Sequence, residues 1–207
     1  MNNNPTLICR PLRNNDWTTA AAISLQQAWL PAPQPELRPT RVRTAWRADA
    51  LLVQAEISDA DIFNPRTDFN SMFYQTGDVF EIFLRPVTQD AYFEFHIGPA
   101  NQKLQLRFPH AGLLGTCPVE NLLIHTPVIT SQVEVLPAQQ IWKVAVEIPF
   151  AVVQETGPVG PGTEWLFSFS RYDYTRGAAQ PVLSSSSPHK ELNYHRQQEW
   201  GTLIFAP

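Results

Sequence analysis

The chain has 207 residues, 43% of them apolar, 16% charged and 11% aromatic, with a formal net charge of -4 and a pI near 5.7. That length buries a full core without staples, and the composition is too apolar for a disordered chain. The acidic balance, with no basic run, excludes the electrostatic footprint of a nucleic-acid binder.

The start "MNNNPTLICRPLRNNDW" has no apolar core of a secretory signal, and no run of about 18 apolar residues marks a membrane span. Read as it stands, the protein is cytoplasmic; a chain trimmed of its leader would be extracytoplasmic. Cys9 and Cys117 form no CxxC, so they are two thiols or one long-range bridge.

Nineteen prolines and nine glycines interrupt the chain too often for helices of ordinary length. Period-two alternation predicts strands at Ala22 to Trp29, Arg41 to Trp46, Leu51 to Ser58, Asp78 to Arg85, Ala91 to Ile97 and Lys103 to Phe108. Further strands are predicted at Val128 to Leu136, Ile141 to Ile148, Trp165 to Tyr174 and Trp200 to Phe205. About ten strands make an all-β fold, an antiparallel β-sandwich of the immunoglobulin-like type, in one domain over 1–207. One helical turn is predicted in "PFAVVQETG", opened by Pro149 and stopped by Gly157. The stretches 30–40, 108–121 and 175–199 read as loops, the four-serine run included, and long loops on a rigid sheet are where ligands bind.

Alternation in the central meander puts Phe80, Ile82, Leu84, Phe93, Phe95 and Ile97 in the core and Glu81, Arg85, Tyr92, Glu94 and His96 opposite. Continued into the third strand by hydropathy, it places Leu104, Leu106 and Phe108 in the core, with Lys103, Gln105 and Arg107 beside Glu81. A face of this kind can simply be solvated and self-paired. Its mixture of an aromatic with Glu, Gln and Arg is also the chemistry of sugar recognition, rings against the apolar face of the pyranose and planar groups on adjacent hydroxyls.

The order of segments resembles the family-9 carbohydrate-binding modules and their relatives among the DOMON-like sandwiches. The resemblance is carried by "PTRVRTAWRADALLVQAEISDADI", "GDVFEIFLRP", "YFEFHIGP", "WKVAVEIPF", "FSFSRYDY" and "NYHRQQEWGTLIF", from about Trp17 to Phe205. It implies non-catalytic binding of a saccharide, gripped between two tryptophans, with a Glu on the D-x-x-E strand and an Arg on a nearby strand. Carried over, Glu81 is the Glu and Arg107 or Lys103 the base. Tyr74 or Gln75 stands at the first tryptophan, and the second falls near Ser185, leaving Tyr172, Tyr194 or His195 to supply that wall. Arg171 and Asp173 are loop-proximal polar groups. Many members hold calcium, and Asp59, Asp61 and Asp68 in "SDADIFNPRTDFN" offer oxygen ligands, against the alternative of a solvated turn.

Three other readings compete. Met72 with His96, His189 or His195 is a haem ligand set of a related branch. Glu81 and Glu94 are a carboxylate pair for glycoside hydrolysis, although Arg85, Lys103 and Arg107 around them would keep both ionised. A protein partner could dock on the sheet through Tyr194 and Trp200.

Overall fold

The computed structural model describes residues 4–207. Twelve strands form it: β1 (Thr6–Pro11), β2 (Ala22–Ser24), β3 (Thr40–Arg47), β4 (Ala50–Ser58), β5 (Val79–Pro86) and β6 (Tyr92–Ile97), then β7 (Lys103–Phe108), β8 (Thr130–Leu136), β9 (Ile141–Pro149), β10 (Glu164–Asp173), β11 (Val182–Ser185) and β12 (Gly201–Phe205). The predicted helical turn is α1 (Phe150–Val153), and among the described residues no helix is long and apolar enough to cross a membrane.

Strand order is β7-β6-β5-β10-β12-β1-β3-β4-β9-β8, with β11 beside β10 and β2 beside β3. Pairing is antiparallel except at β1, which lies parallel to β12 through Thr6–Cys9 and parallel to β3 at Arg10 and Pro11. That one strand, hidden in a polar N-terminal stretch, passes from one layer to the other and joins the two sheets. The strand predicted at Ala22 to Trp29 stops at Ser24, and its continuation meets the opposite sheet through a bridge from Gln26 to Ser185 and a hydrogen bond from the Gln27 side chain to the Leu183 carbonyl.

The main core lies between the layers. Phe80, Ile82, Leu84, Phe93, Phe95, Phe167 and Phe169 from one sheet meet Leu51, Val53, Ile57, Trp142, Val144 and Ile148 from the other. Each belongs to the apolar phase of an alternating strand, so the sandwich follows from period two.

The four-serine run is ordered structure. Ser184 and Ser185 close β11 against β10, and the Ser185 hydroxyl lies 3.1 Å from that of Ser168 while Ser187 donates to Ser168 at 2.9 Å. Buried hydroxyls that satisfy one another do not behave as a linker.

A second apolar cluster covers the outer face of the first sheet: Phe73, Val79, Phe83, Tyr92, Leu104, Leu106, Phe108, Leu122, Tyr194 and Trp200. This corrects the predicted phase of β7. Tyr92 pairs with Phe108, Glu94 with Leu106 and His96 with Leu104, so the leucines share the face of Glu81 and not the sandwich core. Lys103, Gln105 and Arg107 point to the other face. Because the side-chain period is two, one step of phase moves the whole strand's side chains across the sheet.

Candidate functional site

β5, β6, β7 and β10 present Glu81, Phe83, Glu94, His96, Leu106 and Tyr172 on one outer face, and three loop segments close over it. The short turn Phe73–Gln75 brings Tyr74, residues 113–122 bring a band of apolar side chains, and residues 192–195 bring Asn193, Tyr194 and His195. Between sheet and loops lies a cavity of about 640 Å³.

Buried titratable groups form its floor. Glu81 and His96 are direct cross-strand neighbours, with His96 Nδ1 3.3 Å from Glu81 Oε1 and His96 Nε2 3.4 Å from Glu94 Oε2. These are close electrostatic contacts whose angles fall outside hydrogen-bond geometry, so both His96 nitrogens, like Glu81 Oε2, have no hydrogen-bond partner. His195 Nδ1 lies 3.1 Å from Glu94 Oε1 and 3.0 Å from the Tyr92 hydroxyl.

The two carboxylates differ in environment. Burial pushes Glu81 up to about 7, helped by the nearby charge of Glu94 and opposed by His96 and His195. Burial also acts against ionised Glu94, yet His195 and His96 outweigh it and hold that carboxylate below its ordinary value. Both histidines are raised: burial opposes their protonation, and Glu81 and Glu94 at His96, and Glu94 at His195, overcome it.

Aromatic rings stand over this floor. Tyr74 and Tyr172 lie 6.0 Å apart between centroids, Tyr172 and Tyr194 5.9 Å, and Phe83 and Tyr194 6.3 Å. Backbone contacts fix them: Tyr194 donates its hydroxyl to the Arg171 carbonyl at 3.3 Å, Trp200 Nε1 donates to the Tyr194 carbonyl at 2.7 Å, and Tyr174 donates its hydroxyl to the Tyr74 carbonyl at 2.9 Å. Gly77 permits the neighbouring loop to cross the start of β5, since a Cβ there would sit 2.6 Å from Asn64 Cα and the Phe63 carbonyl.

Of the saccharide-site residues predicted from sequence, Glu81, Tyr74, Tyr172, Tyr194 and His195 converge on this cavity, with Met72, Glu94 and His96 from the competing readings. Arg107 lies on the opposite face, ion-paired to Glu155, and Lys103 is there too, donating to the Asn101 carbonyl. Gln75 is exposed beside Tyr74. Arg85 donates to the Gln89 carbonyl at 2.9 Å. The expectation that Arg85, Lys103 and Arg107 hold both glutamates ionised therefore fails. Gln105, expected on the ligand face, is buried, accepting from Val128 N at 3.0 Å and donating to the Thr126 carbonyl at 3.0 Å.

Arg171 and Asp173 point between the sheets. Arg171 Nη2 lies 3.0 Å from Asp59 Oδ2 and 3.1 Å from Asp173 Oδ2, and Arg38 reaches the same Asp173 oxygen at 3.3 Å. Asp78 joins them, accepting from Phe63 N at 2.7 Å and Tyr174 N at 2.8 Å. Burial first, then Asp59, raises the Asp78 carboxyl. The three aspartates expected to hold calcium do not gather: Asp59 is on Arg171, Asp61 pairs with Arg176, and Asp68 is exposed. The acids that do gather among the described residues are Asp59, Asp78 and Asp173, around a guanidinium that supplies their positive charge.

Met72 also lines the cavity, as do His96, set between Glu81 and Glu94, and His195, set against Glu94, while His189 is buried 3.2 Å from Glu199. Cys9 and Cys117 are separate thiols, and burial pushes Cys9 up to about 12.

Sequence reasoning missed Phe83, Phe108, Leu106, Leu122 and Asn193 as cavity residues. A signal existed for Phe83, which shares the phase of Glu81, and for Leu106 and Phe108. The five-residue loop "GPANQ" leaves Ile97 and Lys103 directly opposed, and opposed residues share a face, which places Leu104 with His96.

No protein-family model matches the chain, and no curated protein matches it. Solved structures do. A Bacteroides uniformis protein described as a candidate carbohydrate-binding protein superposes with a TM-score of 0.72 at 15% identity, over 97% of this chain and 99% of the other. A family-9 carbohydrate-binding module of Caldicellulosiruptor kristjanssonii in complex with cellotriose gives a TM-score of 0.67 at 16% identity, over 97% and 93%. The same organism's family-9 module in complex with glucose gives 0.65 at 16%, over 98% and 95%. The chain has the family-9 fold. The likeness extends over nearly all of this chain and of each solved structure.

Proposed function

We propose that this family-9-like protein binds a saccharide, without catalysis, in the cavity over β5, β6 and β10. One observation carries the reading: Glu81 is 2% exposed, lines the cavity, and has one carboxylate oxygen without a hydrogen-bond partner. A buried acceptor left open is costly unless a ligand hydroxyl fills it. Tyr74, Tyr172 and Tyr194 supply faces for the C–H side of a sugar ring, standing in for the tryptophan pair. The glucose and cellotriose complexes of the family-9 module, which share the fold, agree with this reading.

Titration calorimetry with glucose, xylose and their oligomers tests it. Binding is expected, weakened at least tenfold in Glu81→Gln, whose amide keeps the shape and loses the charge-assisted acceptor. Silence across these sugars and a glycan array would overturn the reading.

A glycoside-cleaving role has one observation in its favour, the raised Glu81 and the lowered Glu94 set diagonally on the same face of neighbouring strands. Glu94 is enclosed by His96 and His195, which occupy the carboxylate a nucleophile would need free. Aryl glycosides are expected to remain intact; release of the aryl alcohol that disappears in Glu81→Gln would make the protein an enzyme.

A further inference from the structure

The cavity has two unlike halves. Over β5 and β10 stand Glu81, Tyr74, Tyr172 and Tyr194. Over β7, at the sheet edge, the lining is Leu106, Phe108, Leu114, Cys117, Val119 and Leu122. In the order β7-β6-β5-β10, Glu81 on β5 stands two strand spacings from β7, roughly 10 Å. A bare monosaccharide held on Glu81 has no use for the second half, because hydroxyls laid against aliphatic side chains lose hydrogen bonds to water and gain none.

That second half is also not finished as an ordinary core. Core packing leaves no void of the cavity's size, about 640 Å³ in all, and the space continues over β7 beneath the loop of residues 113–122. At its mouth Leu114 is 40% exposed and Leu192 50% exposed, two large apolar side chains that line the cavity and face water. Exposed leucines that rim an apolar hollow are the arrangement of a binding site.

We infer that the ligand is an amphipathic glycoside, its sugar on the Glu81 half and an apolar aglycone, alkyl or aryl, along Leu106, Phe108 and Leu122 beneath Leu114. This rests on the saccharide reading and adds to it the class of group attached to the sugar. The sugar supplies orientation through Glu81; the aglycone supplies most of the affinity by leaving water.

Titration calorimetry with methyl, butyl and hexyl β-glycosides of glucose and xylose, all below micelle-forming concentration, tests it. Affinity is expected to rise about fourfold for each methylene buried, so that the hexyl glycoside binds at least tenfold tighter than the methyl one. The double substitution Leu114→Ser with Leu192→Ser, at exposed positions that the fold does not need, is expected to shrink that ratio. Measurable but equal affinity along the series would overturn this inference and leave the saccharide reading standing. Hexan-1-ol binding as tightly as the hexyl glycosides would overturn it as well, by removing the sugar's part. Absence of binding by every member would overturn both.

Discussion

Glu81 and His96 face each other as direct neighbours across β5 and β6, 3.3 Å apart from Oε1 to Nδ1, in a floor closed by aromatic loops. An acid and a base buried together titrate together, and the pH dependence of stability reads their environment.

Glu81 ordinarily titrates near 4.5 and is raised to about 7 in the fold. Between those values the folded state keeps a proton that the unfolded chain has released, so stability falls as pH rises. His96 and His195 are raised too, and their contribution is full below about 6.5 and lost as pH rises through their folded values. Glu94 is lowered, so its contribution is lost only as pH falls below its ordinary 4.5. Thermal melts are therefore expected to peak near pH 5 and decline toward pH 8, with Glu81 contributing on the order of 3 kcal/mol to that decline. Glu81→Gln is expected to flatten the slope; parallel slopes in the two proteins would refute the assignment.

Arg171 sits 3.0 Å from Asp59 and 3.1 Å from Asp173 at the end of the sandwich, with all three residues buried. Its replacement by Met strands the carboxylates without their counter-charge. Urea unfolding is expected to show a loss of about 3–5 kcal/mol. A loss below about 1 kcal/mol would mean that the aspartates find water or a proton at little cost.

Arg107 and Tyr172 offer a direct contrast. The resemblance makes Arg107 a hydroxyl partner, whereas its guanidinium is on the far face with Glu155, a half-exposed pair worth less than about 1 kcal/mol. Arg107→Ala is expected to leave glycoside affinity and stability nearly unchanged. Tyr172→Ala, which removes a cavity wall, is expected to lower affinity about tenfold. Calorimetry on the two variants checks both, and a reversed ranking would move the site to the other face.

The residues themselves determined the strands of the main core, because Phe80, Ile82, Phe93 and Phe95 alternate with polar partners at the sheet period and need no distant information. Alternation also brought Glu81 into view, and the family resemblance added Tyr74, Tyr172, Tyr194 and His195 as candidates. The phase of β7 escaped a reading by hydropathy because this sheet is buried on both sides: Leu104, Leu106 and Phe108 are as much at home in the outer cluster as in the inner core, and polarity alone does not choose between them. β1 escaped because it is a crossing strand whose value lies in joining Phe205 and Ala45 partners far along the chain. The polar face likewise became a roofed cavity only through loop packing, and His195 meets Tyr92 across 103 residues of sequence, a distance over which a local pattern carries no signal. Local alternation thus settled which residues pair with a core, and long-range packing settled which of two cores each one joined.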